Sequence, residues 1–291
     1  MNELLIGQEH GHSLRFTQTQ FDAFSKLSRD TNPIHTDPDF SAGTTFGKTV
    51  AHGMLLYGNV IKALGEFLPP FVQLYQEMMF PSPTFTEENL ELKLKILELN
   101  EAKNVAKIET TLSKPDGTNG LQGYSLVYLL DKATSISYPD IESAIGEYAP
   151  SETAHKGLKV GQTDEVSSSI NQNDLNEYQL IVNDRNSLFA NPEFARQFGF
   201  KECLIPGSLI GGLFSYQLGM RLPGKGTNWL KQKFHFLRPL YAKQEIITSV
   251  EVTRIRPEKD LVNLSTIGRS SQGHVLVEGE ALVHVQDIEK L

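Results

Sequence analysis

Displacing this sequence by 154 residues lays much of it back on itself. Gly7-Gln8 falls on Gly161-Gln162. Phe16, Gln18, Phe21, Phe24 and Leu27 fall on Ile170, Gln172, Leu175, Tyr178 and Ile181, and Asp30 and Asn32 on Asp184 and Asn186. Gly53, Leu55, Gly65 and Pro69 then meet Gly207, Leu209, Gly219 and Pro223 without a gap. Past Pro223 a two-residue insertion moves the offset to 156, and Phe80, Pro83, Gly117 and Gly123 meet Phe236, Pro239, Gly273 and Gly279. The matches keep their order and include Gly and Pro, whose backbone demands are specific. One fold is therefore written twice, in a first unit over 1–130 and a second over 158–291. Residues 131–157, with Pro139, Pro150 and several Ser, read as a linker.

The pattern within one unit predicts its elements. Phe21, Phe24 and Leu27 recur at helical spacing over 17–28, with Thr17 or Thr19 able to cap the start. Gly53 to Leu68 is apolar on almost every side, the mark of a helix buried around its circumference. Leu90, Leu92, Leu94 and Ile96 alternate with charged residues, and Ala106, Ile108, Thr110 and Leu112 with Lys107, Glu109 and Thr111, so each run reads as a half-buried strand. A Pro115-Asp116-Gly117 turn and a strand over 121–130 follow. The second copy repeats this with strands over 246–255, 262–268 and 275–285. The fold class is α+β, with an antiparallel sheet wrapped around a long helix in each unit.

Composition excludes several partners. Net charge is −8 with no long basic run, which argues against nucleic acid and an anionic membrane surface. No stretch approaches the roughly 18 apolar residues of a membrane span, and a cytoplasmic protein is expected. The single cysteine, Cys203, rules out an internal disulfide and any cysteine-based metal site.

The copies diverge where chemistry would be. Pro33-Ile34-His35 becomes Ser187-Leu188-Phe189, and Ala51-His52-Gly53-Met54 becomes Ile205-Pro206-Gly207-Ser208. A scaffold role would give both copies equal reason to keep an Asp/His pair, so one functional site is expected, carried by the first unit. Asp30-Thr31-Asn32-Pro33-Ile34-His35, followed by Phe46 and Ala51-His52-Gly53-Met54-Leu55, resembles the hydratase motif of the MaoC-like, (R)-specific enoyl-CoA hydratases. With Phe236-Leu237-Arg238-Pro239 as a strand-entry pattern, the resemblance covers nearly the whole chain and implies a double hotdog. In two-hotdog relatives one half usually keeps the motif while the other loses it, which widens the tunnel for bulkier acyl chains.

The resemblance implies reversible hydration of trans-2-enoyl-CoA to (R)-3-hydroxyacyl-CoA, or the reverse dehydration, in fatty-acid or related acyl metabolism. Asp30, Asn32, His35 and Gly53 would be the catalytic set, the first three holding a water and the Gly53 N–H binding the thioester carbonyl. Phe46, His52, Met54 and Arg238 would contact the substrate. Coenzyme A would belong to the substrate, with no separate cofactor and no metal. The partner is an acyl-CoA or acyl-carrier-protein thioester, and a monomer supplying both hotdogs, or a homodimer, would suffice. A hotdog acyl-CoA thioesterase and a non-catalytic acyl-CoA-binding module are the alternatives.

Several residues carry a second reading. Asp30 and Asn32 have echoes in Asp184 and Asn186, so part of their work is to shape a turn. His52 either serves the substrate or fixes the turn before Gly53. Arg238 is either a solvated strand-end charge or a contact for coenzyme A phosphates. Trp229, in the inserted loop, is a lid or a surface anchor. The six other histidines, His10 and His12 among them, are scattered singly and receive no catalytic role. Relatives often carry a Ser later on the central helix, where this chain has Asn59, Val60 and Ile61.

Overall fold

A computed structural model describes residues 4–131, 143–149 and 151–286. The first copy runs β1 (Glu9–Leu14), α1 (Gln18–Ser28), α2 (Pro33–Thr36), α3 (Pro38–Ala42), α4 (Gly53–Phe67), β2 (Phe71–Met79), β3 (Leu90–Asn100), β4 (Val105–Ser113) and β5 (Asn119–Leu129). A small hairpin follows, β6 (Ala154–His155) with β7 (Leu158–Lys159). The second copy runs β8 (Thr163–Ser169), α5 (Gln172–Val182), α6 (Ser187–Ala190), α7 (Pro192–Arg196), α8 (Gly207–Met220), β9 (Asn228–Phe236), β10 (Glu245–Arg256), β11 (Leu261–Ser270) and β12 (Val275–His284). The helices α1, α2 and α3 recur as α5, α6 and α7 at the offset of 154.

Thr17, one of the two expected caps, closes the start of α1 through a reciprocal box with Gln20, while Asn32 and Asp37 cap α2 and α3, two short helices the sequence pattern did not predict, ahead of Pro33 and Pro38. The alternating runs form β3 and β4, paired antiparallel, and Gly117 turns the chain at φ 81°. The alternation rule does not find β2 or β9. These strands sit at the middle of the sheet, so β2 is buried on both faces and shows no polar side to alternate with.

The two copies build one ten-stranded antiparallel sheet in the order β1-β3-β4-β5-β2-β9-β12-β11-β10-β8. Its seam is the β2–β9 pair, from Tyr75 opposite His235 to Met79 opposite Lys231, with Lys231 Nζ 2.8 Å from Glu77 across it. A single apolar core spans both copies around α4 and α8. Each central helix reaches across to the other copy. Gly58 of α4 lies against Val182 of α5, and Gly212 of α8 against Ser28 of α1, the same pair of positions twice.

Much of the linker read at 131–157 lies outside the described residues. Its described part runs over the second unit, where Gly146 N–H and the Tyr148 hydroxyl both donate to Glu280. Among the described residues, no helix is long and apolar enough to cross a membrane.

Candidate active site

The loop between α1 and α2 carries Asp30 and Asn32, and both hold it in shape. Asp30 Oδ1 accepts from Asn32 N at 3.3 Å, and Asn32 Oδ1 accepts from Ile34 N at 3.3 Å. The second copy repeats both bonds with Asp184, Asn186 and Leu188. The turn-shaping role is therefore common to both copies. What distinguishes the first copy is the other carboxylate oxygen.

Asp30 Oδ2 accepts a hydrogen bond from Ser215 Oγ at 2.6 Å. Ser215 lies on α8, so the hydroxyl missing from Asn59-Val60-Ile61 arrives from the second copy. Motif comparison missed it because Ser215 aligns with Ile61 at the offset of 154, in the half whose motif has decayed. Its neighbour one turn on, Gly219, lets α8 approach, since a Cβ there would lie 2.7 Å from Asp30 Oδ1. Asn32 Nδ2 also reaches the Gly219 carbonyl, at 3.5 Å.

His35 faces Asp30 with a defined tautomer. Its Nδ1 lies 2.8 Å from the Val50 carbonyl oxygen, which can only accept, so the ring proton sits on Nδ1. Nε2 keeps its lone pair and stands 3.9 Å from Asp30 Oδ2. Burial pushes the Asp30 carboxyl above the usual carboxylate range, against the opposing pull of His35 and the Ser215 hydroxyl. Burial pushes His35 below the usual imidazole range, against the attraction of Asp30. Both shifts favour a neutral imidazole and a carboxyl able to exchange its proton.

His52 does not line the cavity, contrary to the substrate-contact assignment. It is 1 % exposed, stacks on His35 with ring centroids 3.6 Å apart, and donates from Nε2 to the Asp30 carbonyl at 2.9 Å. It is also the N-cap of α4. One ring thus ties together the Asp30 loop, His35 and the start of the central helix. Met54 likewise does not line the cavity: it is fully buried, and its sulfur occupies the space beside Gly211 where α4 meets α8.

A cavity of about 130 Å³ opens on these groups. Asp30, Asn32, His35, Phe46 and Gly53 line it from the first copy, and Ser215 and Trp229 from the second. Gly53 begins α4, whose first N–H groups have no side-chain cap, so this wall presents the positive end of a 15-residue helix. Phe80 packs so closely on Gly53 that any Cβ would strike its ring at 2.6 Å. Trp229 belongs to strand β9 rather than to a loop and stands beside Phe80, so it is cavity wall and not a lid or a surface anchor.

Arg238 is not brought to this cavity. It lines a second one of about 50 Å³ and donates to the Val275 carbonyl at 2.6 Å. That second cavity is the decayed counterpart of the first. Phe189 stands for His35, Gly207 for Gly53, Phe236 for Phe80, Arg238 for Ser82 and Gln73 for Trp229. The Tyr57 hydroxyl, bonded to Gln73 Oε1 at 2.8 Å, fills the space before Gly207. Catalytic polarity has been replaced there by rings and a closed hydrogen bond.

Asp30, His35 and His52 offer three ligand atoms within 4.8 Å of one another. The two rings are stacked at 26°, however, and stacked imidazoles aim their lone pairs side by side rather than at one point. The arrangement suits proton transfer better than metal binding.

The first half of the chain matches the family model for the MaoC-like domain over residues 3–116, and the second half matches the FAS1-like dehydratase domain region over 155–278. An (R)-specific enoyl-CoA hydratase from Aeromonas caviae is 34% identical over 128 residues, covering 44% of this chain and 96% of that protein. In fold, a solved MaoC-like dehydratase superposes with a TM-score of 0.76 at 14% identity, covering 97% of this chain and 98% of the other. A conserved hypothetical protein from Mycobacterium tuberculosis with a double hotdog fold superposes with a TM-score of 0.70 at 13% identity, over 96% and 97% of the two chains.

Proposed function

The chain belongs to the MaoC-like dehydratase family, and from that premise we propose that the cavity around Asp30 and His35 hydrates trans-2-enoyl thioesters to (R)-3-hydroxyacyl thioesters and runs the same step in reverse. The observation that carries this reading is the gap between His35 Nε2 and Asp30 Oδ2. At 3.9 Å, with the ring proton committed to Val50, Nε2 offers its lone pair and Asp30 Oδ2 the one left beside its bond from Ser215, so a water about 2.8 Å from each could bridge them.

The chemistry follows from where the charges move. Water oxygen attacks C3 of the enoyl group while one of its protons passes to the Asp30/His35 pair. The double-bond electrons shift toward the thioester oxygen, and the Gly53 N–H at the start of α4 stabilises that developing enolate, a contribution typically worth about 100- to 1000-fold in rate. The pair returns a proton to C2 as the enolate collapses. It therefore ends the cycle with as many protons as it began. Ser215 holds Asp30 Oδ2, and His52 holds the Asp30 loop against His35.

Phe46, Phe80 and Trp229 form the walls against which the acyl part would lie. The thioester would be carried by coenzyme A or by an acyl-carrier protein, in fatty-acid or related acyl metabolism. No metal or further cofactor is needed for the proton transfers described.

The test is the loss of enoyl-thioester absorbance with crotonyl-CoA and longer substrates, for the unchanged chain, Asp30→Asn and His35→Gln. Each variant is expected to fall by about 100- to 10,000-fold, the range for loss of a general acid or base. Unchanged hydration in both would overturn the reading. Release of free thiol with the double bond intact would identify a thioesterase instead, and tight binding without turnover a binding module.

A further inference from the structure

The end of α4 remote from the cavity holds a second group of polar side chains. The inward face of β1 carries His10, His12 and Leu14, while Glu9, Gly11 and Ser13 point outward. Glu66, in the last turn of α4, comes between the two histidines: its Oε2 lies 3.7 Å from His10 Nε2 and 3.9 Å from His12 Nδ1. The three donor atoms lie within 4.8 Å of one another. Although scattered singly in the sequence, these histidines converge in the fold.

The duplication supplies an internal control. At the offset of 154, His10 becomes Asp164 and Phe67 becomes Arg221. There the corner between first strand and central helix is closed by protein alone, with Arg221 Nε 2.9 Å from both carboxylate oxygens of Asp164 and Gln217 Nε2 3.0 Å from one of them. In the first copy no contact among the three donors reaches hydrogen-bond length. His10 Nε2 is buried without a partner, which is costly for a polar atom. Something that bonds to two imidazoles and a carboxylate would complete the corner as the arginine does in the second copy.

We propose that His10, His12 and Glu66 form a site for a borderline divalent transition-metal ion of the Zn²⁺ or Co²⁺ type, pinning the edge strand β1 to the end of α4. Two nitrogens and one carboxylate oxygen favour such ions over Mg²⁺ or Ca²⁺, which prefer all-oxygen shells. Tetrahedral Zn²⁺ with bonds of about 2.0–2.1 Å sets its ligands roughly 3.4 Å apart, so the observed 3.7 and 3.9 Å close with small side-chain rotations. Lys62 Nζ, 3.2 Å from the other Glu66 oxygen, fixes the carboxylate and leaves Oε2 turned to the histidines. Phe67 stacks on His10 at 5.3 Å between centroids and limits its ring to one plane. The site is independent of the hydration cavity.

Isothermal titration of the metal-stripped full chain with ZnCl₂, and separately with MgCl₂, tests this, alongside the visible absorption of the Co²⁺-loaded chain. His10→Phe keeps the stack on Phe67 but removes a ligand, and Glu66→Gln keeps the shape but removes the charge. The expected result is one Zn²⁺ per chain, affinity lowered at least about tenfold in each variant, Co²⁺ bands lost in His10→Phe, and enoyl-thioester turnover unchanged. Saturating Zn²⁺ should also raise the melting temperature of the unchanged chain by several degrees and that of the variants by less. Failure to bind Zn²⁺, equal binding by chain and variants, or Mg²⁺ binding as tightly as Zn²⁺ would each overturn the assignment.

Discussion

The Ser215 hydroxyl donates to Asp30 Oδ2 at 2.6 Å across 185 residues of sequence. The candidate site is therefore composite: the acid, amide and imidazole come from one copy, and the hydroxyl that holds the acid comes from the helix of the other. A buried carboxylate accepting a short bond is oriented by it, and hydrogen bonds to charged groups are worth about 1.5–3 kcal/mol. Ser215→Ala should lower kcat by about 10- to 100-fold with KM little changed, and Ser215→Thr should recover part of the loss. Steady-state kinetics on enoyl-CoA checks both.

Gly219 and Gly65 occupy matching positions on α8 and α4 with unequal neighbours. A methyl at Gly219 would lie 2.7 Å from Asp30 Oδ1, whose carboxylate is already pinned, whereas one at Gly65 would lie 3.4 Å from Asn186 Nδ2. Gly219→Ala should reduce kcat at least about tenfold by displacing the acid. Gly65→Ala should leave turnover within about twofold and add up to about 1 kcal/mol of stability, the usual gain from replacing Gly in an exposed helix interior. Kinetics and urea denaturation of the two variants separate these outcomes.

Asp184 keeps the burial of its counterpart without the chemistry. Its Oδ2 has no partner, and burial pushes its carboxyl up to about 6. A raised carboxyl means that the folded state disfavours the ionised form, so stability present below the ordinary 3.8 is lost as pH rises toward 6. Asp184→Asn should therefore stabilise the protein at pH 7, by about 2–3 kcal/mol at most, and the gain should vanish by about pH 4. Chemical denaturation at the two pH values is the measurement, and hydration activity should not change.

Trp229 and Phe80, with centroids 6.5 Å apart, form a wall of the cavity. Trp229→Ala should enlarge it and move substrate preference toward longer acyl chains. Each methylene accommodated in an apolar pocket is worth about 1–3 kcal/mol, so the kcat/KM ratio of longer to four-carbon enoyl-CoA should rise by at least about tenfold. A chain-length series on both proteins tests it.

The legible parts of the fold were those governed by neighbours in sequence. Thr17 caps α1 through bonds to Gln20 three residues on, and the alternation in β3 and β4 follows from one wet face and one dry face. That Asp30, Asn32, His35, Phe46 and Gly53 line one cavity was legible because they lie close along one stretch, in which His35 gives way to Phe189 in the other copy. Ser215 and Trp229 were not, since nothing local marks a serine on an apolar helix or a tryptophan at a strand start as facing another copy's acid. Met54 and Arg238 misled for a related reason. Neither the place of Met54 in the motif nor that of Arg238 in the strand-entry pattern reveals that one side chain turns to the interhelical contact and the other to the decayed cavity.

The crossing of α8 to Asp30 makes the two halves unequal. A pair of first copies would meet each Asp30 with Ile61, and a pair of second copies would meet each Asp184 with Ser215 but offer Phe189 where an imidazole is needed. Separated, either would also turn one partner of the β2–β9 seam into a long exposed sheet edge open to aggregation. The covalent joining of the copies thus keeps His35 and Ser215, one from each half, at a single Asp30.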